Sequence, residues 1–469
     1  MPVMHRRALD RALAYVDSWL RYRHEGSDIP GYVVAVAHEG KIVLEQGYGE
    51  ADLAAEAPMT PAHIFRIASH SKTFTATAVL QLAEAGALRL DDLVVDHLSW
   101  LGGHRDRRVR RVTIRQLLCH GAGMVRDGTR ADFWQLLADF PDVGTLKNEV
   151  LESLLVTEPN VALKYSNIGY SLLGLVVEAA SGESYEDYVS DRIVGPLGLE
   201  RTGPDHSDGL EGSLATGYGR ADVYRTRLPI ASVGTGAMAP ATGFYGSAAD
   251  LCTYFSAQMV GSKLLLSDDS KREMQRVHWH ARGTGPGTQG DYGLGLGLDT
   301  VGTRRTFGHG GAYPGHITRT MVDPEEGLVV VVLTNCIDGP AEEMARGIFG
   351  IIDYFAEHVP PGRPKEDMLW MQGRYMNLWA VSDIVVTGDR IIRVSPTSWA
   401  PLADPERLEA VDAQTLRIAD TGSFASAGEL VRLQLRDGEM ESLDYAGMTM
   451  WPEEAWIDRQ LDRLSVHLG

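Results

Sequence analysis

The order in which strand and helix patterns follow one another constrains this chain most. β-Branched runs at 31–37 and 41–48, on either side of Glu39-Gly40, read as a hairpin. Strand character returns only at 304–309, 317–322 and 328–334, the last two joined across Asp323-Pro324-Glu325-Glu326-Gly327. Between them lie helical patterns at 67–86, 114–119 (behind Thr113 as N-cap), 170–180, 185–193 and 248–259. Further helices are expected at 7–23 and 341–358. Early and late strands with helices between them imply one antiparallel sheet closed by both ends of the region. The fold class is α+β, a sheet flanked by helices with a helical subdomain.

The texture changes at Val359-Pro360-Pro361-Gly362-Arg363-Pro364-Lys365, a linker by composition. Beyond it, short strand-like runs recur at 373–379, 384–387, 390–394, 416–419, 430–436 and 442–445, with Gly, Asp and Pro turns between them. They read as a small antiparallel β barrel-like domain. Trp370, Trp379, Trp399, Trp451 and Trp456 are expected in its core. The expected partition is therefore 1–358, linker 359–366, and 367–469.

The net charge of −19 argues against binding the phosphate backbone of nucleic acid. The basic run His104-Arg105-Asp106-Arg107-Arg108-Val109-Arg110-Arg111 reads as a solvated surface segment. Cys119, Cys252 and Cys336 are far apart and form no Cys-x-x-Cys pair. Neither a disulfide framework nor a metal site is expected, and scattered thiols fit a reducing compartment. The charged N-terminal stretch does not resemble a signal peptide, and no apolar run has transmembrane length. The expectation is a cytoplasmic protein with no membrane partner, no cofactor and a small-molecule or short-peptide substrate. His278-Trp279-His280 resembles half a metal site but lacks a third ligand, and reads as a loop.

Three short patterns carry chemistry. Ser69-His70-Ser71-Lys72 opens the helix at 67–86, and residues three apart share a helix face. A serine hydroxyl needs a base, and a lysine serves if burial lowers its pKa. Ser71 points elsewhere and reads as a packing or capping residue. Tyr165-Ser166-Asn167 precedes an apolar helix. A tyrosine phenolate beside a lysine relays protons, and the asparagine amide suits a substrate carbonyl or the lysine. His309-Gly310-Gly311-Ala312 ends a strand. Its glycines allow close approach of a substrate backbone, and the Ala312 N–H suits an oxyanion.

In combination, order and context, these patterns resemble the serine β-lactamase and penicillin-binding protein family. The likeness is to its class C-like branch of β-lactamases, D-alanyl-D-alanine carboxypeptidases, D-aminopeptidases and esterases. It extends through Phe65-Arg66-Ile67-Ala68-Ser69-His70-Ser71-Lys72-Thr73, Val112-Thr113-Ile114-Arg115-Gln116-Leu117-Leu118-Cys119-His120, Pro240-Ala241-Thr242-Gly243-Phe244-Tyr245-Gly246 and Thr334-Asn335. The C-terminal part resembles the lipocalin-like appendage of some members. The resemblance implies a serine hydrolase in which Ser69 is acylated, Lys72 and Tyr165 move its proton, and Asn167 positions substrate. The Ser69 and Ala312 N–H groups would form the oxyanion hole, with His309, Gly310 and Gly311 against the substrate.

His309 stands where true β-lactamases carry lysine, and an unperturbed imidazole is largely neutral at physiological pH. That disfavours efficient β-lactam hydrolysis and favours small amides, D-amino-acid peptides or esters. Arg319 on the next strand is a candidate for a substrate carboxylate instead. Two other readings use the same residues. One is an acyl transferase or peptide cyclase; the other is a penicillin-binding sensor or scaffold without turnover.

Overall fold

The computed structural model describes residues 4–210, 212–282, 289–360, 366–388, 390–420 and 426–468. By compactness the chain divides into Ser27–Ala345 and a second unit made of Met1–Gly26 with Arg346–Gly469. This division differs from 1–358, 359–366 and 367–469 by placing helix α1 (Arg6–Glu25) with the C-terminal residues. Trp19 of α1 supplies the reason. It is fully buried, its indole donates to the Ser398 carbonyl at 3.1 Å, and it meets Trp399 edge-on. Residues 361–365 of the expected linker lie outside the described residues.

The Ser27–Ala345 unit is built on one antiparallel sheet. Its strands are β1 (Gly31–His38), β2 (Lys41–Asp52), β3 (Ala57–Pro58), β4 (Trp279–Arg282), β5 (Gln289–Tyr292), β6 (Gly297–Val301), β7 (Arg304–Tyr313), β8 (His316–Asp323) and β9 (Leu328–Thr334). The spatial order is β3-β2-β1-β9-β8-β7-β6-β5-β4. Early and late strands join where β1 pairs with β9, from Tyr32 opposite Thr334 to His38 opposite Leu328. β9 is buried throughout, which is why its sequence is an unbroken apolar run rather than an alternation. β4, β5 and β6 were not expected, because Gly-Asp-Tyr-Gly-Leu-Gly-Leu-Gly carries little β-branched signal. His278-Trp279-His280 therefore runs into a strand rather than a loop, and His280 Nδ1 meets Asp291 Oδ1 across it at 2.6 Å. No cluster of metal-ligating side chains occurs among the described residues.

Helix α2 (Ser71–Glu84) runs through the centre of this unit, with every residue from Ser71 to Leu80 buried. A helix buried all round needs neighbours on every side. Phe74 stacks on both Phe244 and Tyr254, at 4.2 and 3.8 Å between ring centres. Around it lie α3 (Ile114–Leu118), α4 (Asn167–Ser181) and α5 (Ala248–Ala257). Thr113 caps α3 as expected, in a reciprocal box with Gln116. Ser166 caps α4, its hydroxyl accepting the Gly169 N–H at 2.9 Å. In the basic run, Arg108 pairs with Asp106 and Glu158.

The boundary between the units falls within α6 (Ala341–His358), and the second unit holds a closed eight-stranded antiparallel barrel. Its strands are β10 (Gly373–Met376), β11 (Val381–Thr387), β12 (Arg390–Val394), β13 (Glu406–Asp412), β14 (Thr415–Asp420), β15 (Leu430–Arg436), β16 (Glu439–Tyr445) and β17 (Met448–Pro452). Closure comes from β10 with β17, Met376 opposite Trp451. A helix not expected from the sequence, α7 (Glu453–Leu468), follows. The barrel core is Ile384, Val386, Ile391, Leu408, Ile418, Val431, Leu433 and their neighbours, without tryptophan. The expected tryptophan core is thus incorrect. Trp379 is 82% exposed, and Trp451 stacks on Trp456. Aliphatic residues with Tyr375, Tyr445 and two methionines fill that core instead. Cys119, Cys252 and Cys336 are buried free thiols. Among the described residues no helix is long and apolar enough to cross a membrane.

Candidate active site

Ser69 sits in a short 3₁₀ turn, Ala68–His70, that feeds directly into α2. Ala68 before it has φ +46°, a left-handed backbone that costs a non-glycine residue energy. The turn is pinned from two sides. His70, fully buried, donates from Nδ1 to the Ile67 carbonyl at 3.0 Å and takes the Thr320 hydroxyl on Nε2 at 2.9 Å. Gly311 on β7 is opposite Thr318, and a Cβ there would fall 2.2 Å from the Ile67 carbonyl oxygen. The expectation tied this glycine to substrate approach. What requires it here is close packing of β7 against the turn. At Gly310 a Cβ would meet nothing nearer than 3.5 Å. Ala312 follows as an exposed strand residue opposite Ile317.

Lys72 is fully buried, with Nζ 3.0 Å from Ser69 Oγ and 2.7 Å from the Ala241 carbonyl. Burial pushes its pKa well below the usual lysine value; Asp127 acts against that shift and Arg126 with it. Ser71 behaves as expected of its other face. It donates to the Ala68 carbonyl at 2.6 Å and accepts the Phe244 N–H at 2.9 Å, so it is committed to backbone.

The Tyr165 ring lies over Lys72, 4.9 Å from Nζ to the ring centre. Burial raises its phenol well above the ordinary tyrosine value, and a hydrogen bond with Ser69 opposes the rise. The resting group is therefore a phenol, not the phenolate that the residue pattern suggested. Asn167, the first residue of α4, donates from Nδ2 to Asp127 Oδ1 at 2.5 Å. Its Oδ1 is buried without a partner. One of its two amide N–H groups is thereby committed to Asp127.

His309 does not stand alone. Its Nδ1 donates to the Gly310 carbonyl at 2.6 Å, so Nε2 accepts the Tyr292 hydroxyl at 3.1 Å. Tyr292 in turn accepts from His120 Nε2 at 3.2 Å, and His120 Nδ1 accepts the Ser166 N–H at 3.2 Å. Each link fixes the tautomer of the next. The chain of bonds runs from the His-Gly-Gly strand to the Tyr165 turn, and the His120 ring lies against Tyr165, tilted by 36° with 4.1 Å between ring centres. Burial first, then nearby Lys72, holds both imidazoles well below the ordinary histidine value. His309 therefore supplies no fixed positive charge. Arg319 does not substitute for it: its guanidinium meets Asp299 at 3.4 Å and Glu342 at 3.2 Å.

The sequence reading missed His120, Asp127 and Tyr292. His120 lay inside a quoted segment, and its positive φ of 58° marks a special position. Asp127 and Tyr292 sit in segments without a recognisable pattern, so only the folded chain reveals them.

Comparison with known proteins bears on the fold and the family. Protein flp of Staphylococcus aureus (strain MW2) is 29% identical over 191 residues, which span 40% of this chain and 37% of that protein. The chain thus spans about two fifths of the length of the curated relatives it matches first. The octameric penicillin-binding protein homologue from Pyrococcus abyssi superposes with TM-score 0.63 at 22% identity, covering 93% of this chain and 99% of the other. The D-amino acid amidase from Ochrobactrum anthropi SV3, solved with D-phenylalanine, gives TM-score 0.60 at 23% identity, covering 72% and 99%. At such identities the two structures speak for the fold alone. The family model described as Beta-lactamase matches residues 16–350, and by that match this chain belongs to the Beta-lactamase family.

Proposed function

We propose that the protein is a serine hydrolase that works through an acyl-enzyme on Ser69 and cleaves small amides, D-amino-acid peptides or esters. The observation that carries this reading is the buried Lys72 amine 3.0 Å from the Ser69 hydroxyl. A lysine with a depressed pKa is neutral for a useful fraction of the time and accepts the serine proton.

In the first half-reaction Ser69 Oγ attacks the substrate carbonyl carbon and its proton passes to Lys72 Nζ. The N–H groups of Ser69 and Ala312 receive the oxyanion. Collapse of the tetrahedral species breaks the bond to the leaving amine or alkoxide. That group takes a proton from the Tyr165 phenol, and Tyr165 regains one from Lys72. In the second half, water repeats the attack on the ester and Ser69 leaves with its proton restored. The His309–Tyr292–His120 chain keeps the Tyr165 turn in register with β7 throughout. A neutral His309 supports amidase, peptidase or esterase chemistry over efficient β-lactam hydrolysis.

The test is turnover of p-nitrophenyl acetate by the full chain beside Ser69→Ala, with a fluorescent penicillin in parallel. The expected result is ester turnover that Ser69→Ala abolishes. Turnover that survives the substitution sinks the assignment. Stoichiometric penicillin labelling without ester turnover replaces it with a sensor.

A further inference from the structure

The charges around Ser69 leave one group unused by this mechanism. Lys72, His70, His120 and His309 are all shifted towards their neutral forms by burial. Arg319 is bound to Asp299 and Glu342. Asp127 remains. Its Oδ1 is locked by two donors, Asn167 Nδ2 at 2.5 Å and Trp134 Nε1 at 3.0 Å. Among the described residues its Oδ2 pairs with Arg126, at 3.1 Å, from a side chain that is 67% exposed. A carboxylate held this firmly, only 12% exposed, and paired with so mobile and hydrated a cation is poorly compensated. It stands next to Asn167 and acts electrostatically on both Lys72 and Tyr165.

We infer that the Asp127 carboxylate anchors a free ammonium group of the substrate, so that the Ser69 site takes amides or esters of amino acids whose α-amine is unblocked. This rests on the proposed hydrolase reading and narrows its substrate class. Asn167 orients the carboxylate by donating one of its two amide N–H groups to Asp127 Oδ1. A substrate ammonium would displace Arg126 towards solvent, exchanging a screened pair for an enclosed one.

The test compares D- and L-alanine p-nitroanilide with their N-acetylated counterparts on the wild-type chain and on Asp127→Asn, with p-nitrophenyl acetate as an amine-free reference. In the wild type, N-acetylation is expected to lower kcat/KM at least tenfold. Asp127→Asn is expected to shrink that preference by tenfold or more, mainly through KM. The pH profile gives an independent readout. For the free amine, kcat/KM should fall above about pH 8, where an α-amino group loses its proton, while the acetate ester shows no such fall. Equal turnover of free and blocked anilides overturns the inference, as does no turnover of either. An equal loss on every substrate in Asp127→Asn also overturns it, reducing Asp127 to a clamp on Asn167. In each case p-nitrophenyl acetate turnover that depends on Ser69 leaves the hydrolase reading standing.

Discussion

The Ser69 region and the C-terminal barrel bury their residues on different terms. The barrel interior is largely aliphatic, built from Ile384, Val386, Ile391, Leu408, Ile418 and Val431 with Tyr375 and Tyr445. Its buried charge is confined to pairs such as Arg374 with Asp383 at 2.8 Å. Around Ser69, by contrast, His70, Lys72, His120, Asn167 and His309 are all buried. Most are held in directed bonds, beside a strained residue at Ala68. One region puts burial into stability. The other puts it into lowered pKa values and fixed geometry, and tolerates strain and an unpartnered amide oxygen in exchange.

Substitutions should separate the two. The largest effect belongs to the base: Lys72→Ala should lower kcat/KM for an amide by about 10²–10⁴. Circular dichroism should show the helix content retained. A drop below tenfold would break the contrast at its centre. In the barrel, Ile418→Ala should cost about 2–5 kcal/mol, measured by denaturant unfolding, with little change in kcat per folded molecule. Gly311→Ala comes next. The added methyl collides with the Ile67 carbonyl, so β7 and the Ser69 turn must part. The expected cost is about 1–3 kcal/mol together with a disproportionate loss of kcat. If kcat holds while stability falls, the close approach serves packing alone. The smallest effect is at Trp379→Ala, where an exposed indole should change stability by no more than about 0.5 kcal/mol.

Acid should act on the catalytic unit before the barrel core. His70 and His316 are fully buried, and burial brings both from 6.5 down to about 3. Between those values the unfolded chain binds protons that the folded one does not. Stability is therefore full above about pH 6.5 and falls as pH drops towards 3. Unfolding midpoints measured across that range should decline, and His70→Gln should flatten part of the decline. Activity should show its own acid limb, rising with pH as Lys72 deprotonates, with a plateau well below the ordinary lysine pKa.

Much of this was legible before folding. The two hairpins, the central helix and the Thr113 cap rest on local signals that act within a few residues: period, turn chemistry and N-cap chemistry. β4 to β6 were illegible because glycines at 290, 293, 295 and 297 break the pattern from β5 into β6, and β4 is only the four residues Trp279–Arg282. β13 and β17 were missed in the barrel for a related reason. Glu-Arg-Leu-Glu-Ala-Val-Asp reads as polar surface, and only Leu408 in it reaches the core.

The sequence by itself singled out the proposed nucleophile and base. A serine and a lysine three residues apart can share one face, and here Lys72 Nζ lies 3.0 Å from Ser69 Oγ. The tertiary structure decided what that meeting is worth. Burial lowered the pKa of Lys72, raised that of Tyr165 and lowered that of His309, and packing turned the Asn167 amide towards Asp127. Spacing along a helix is a local property that residue order carries. Desolvation and hydrogen-bond direction depend on groups far away in the chain, and exist only once those groups have packed together.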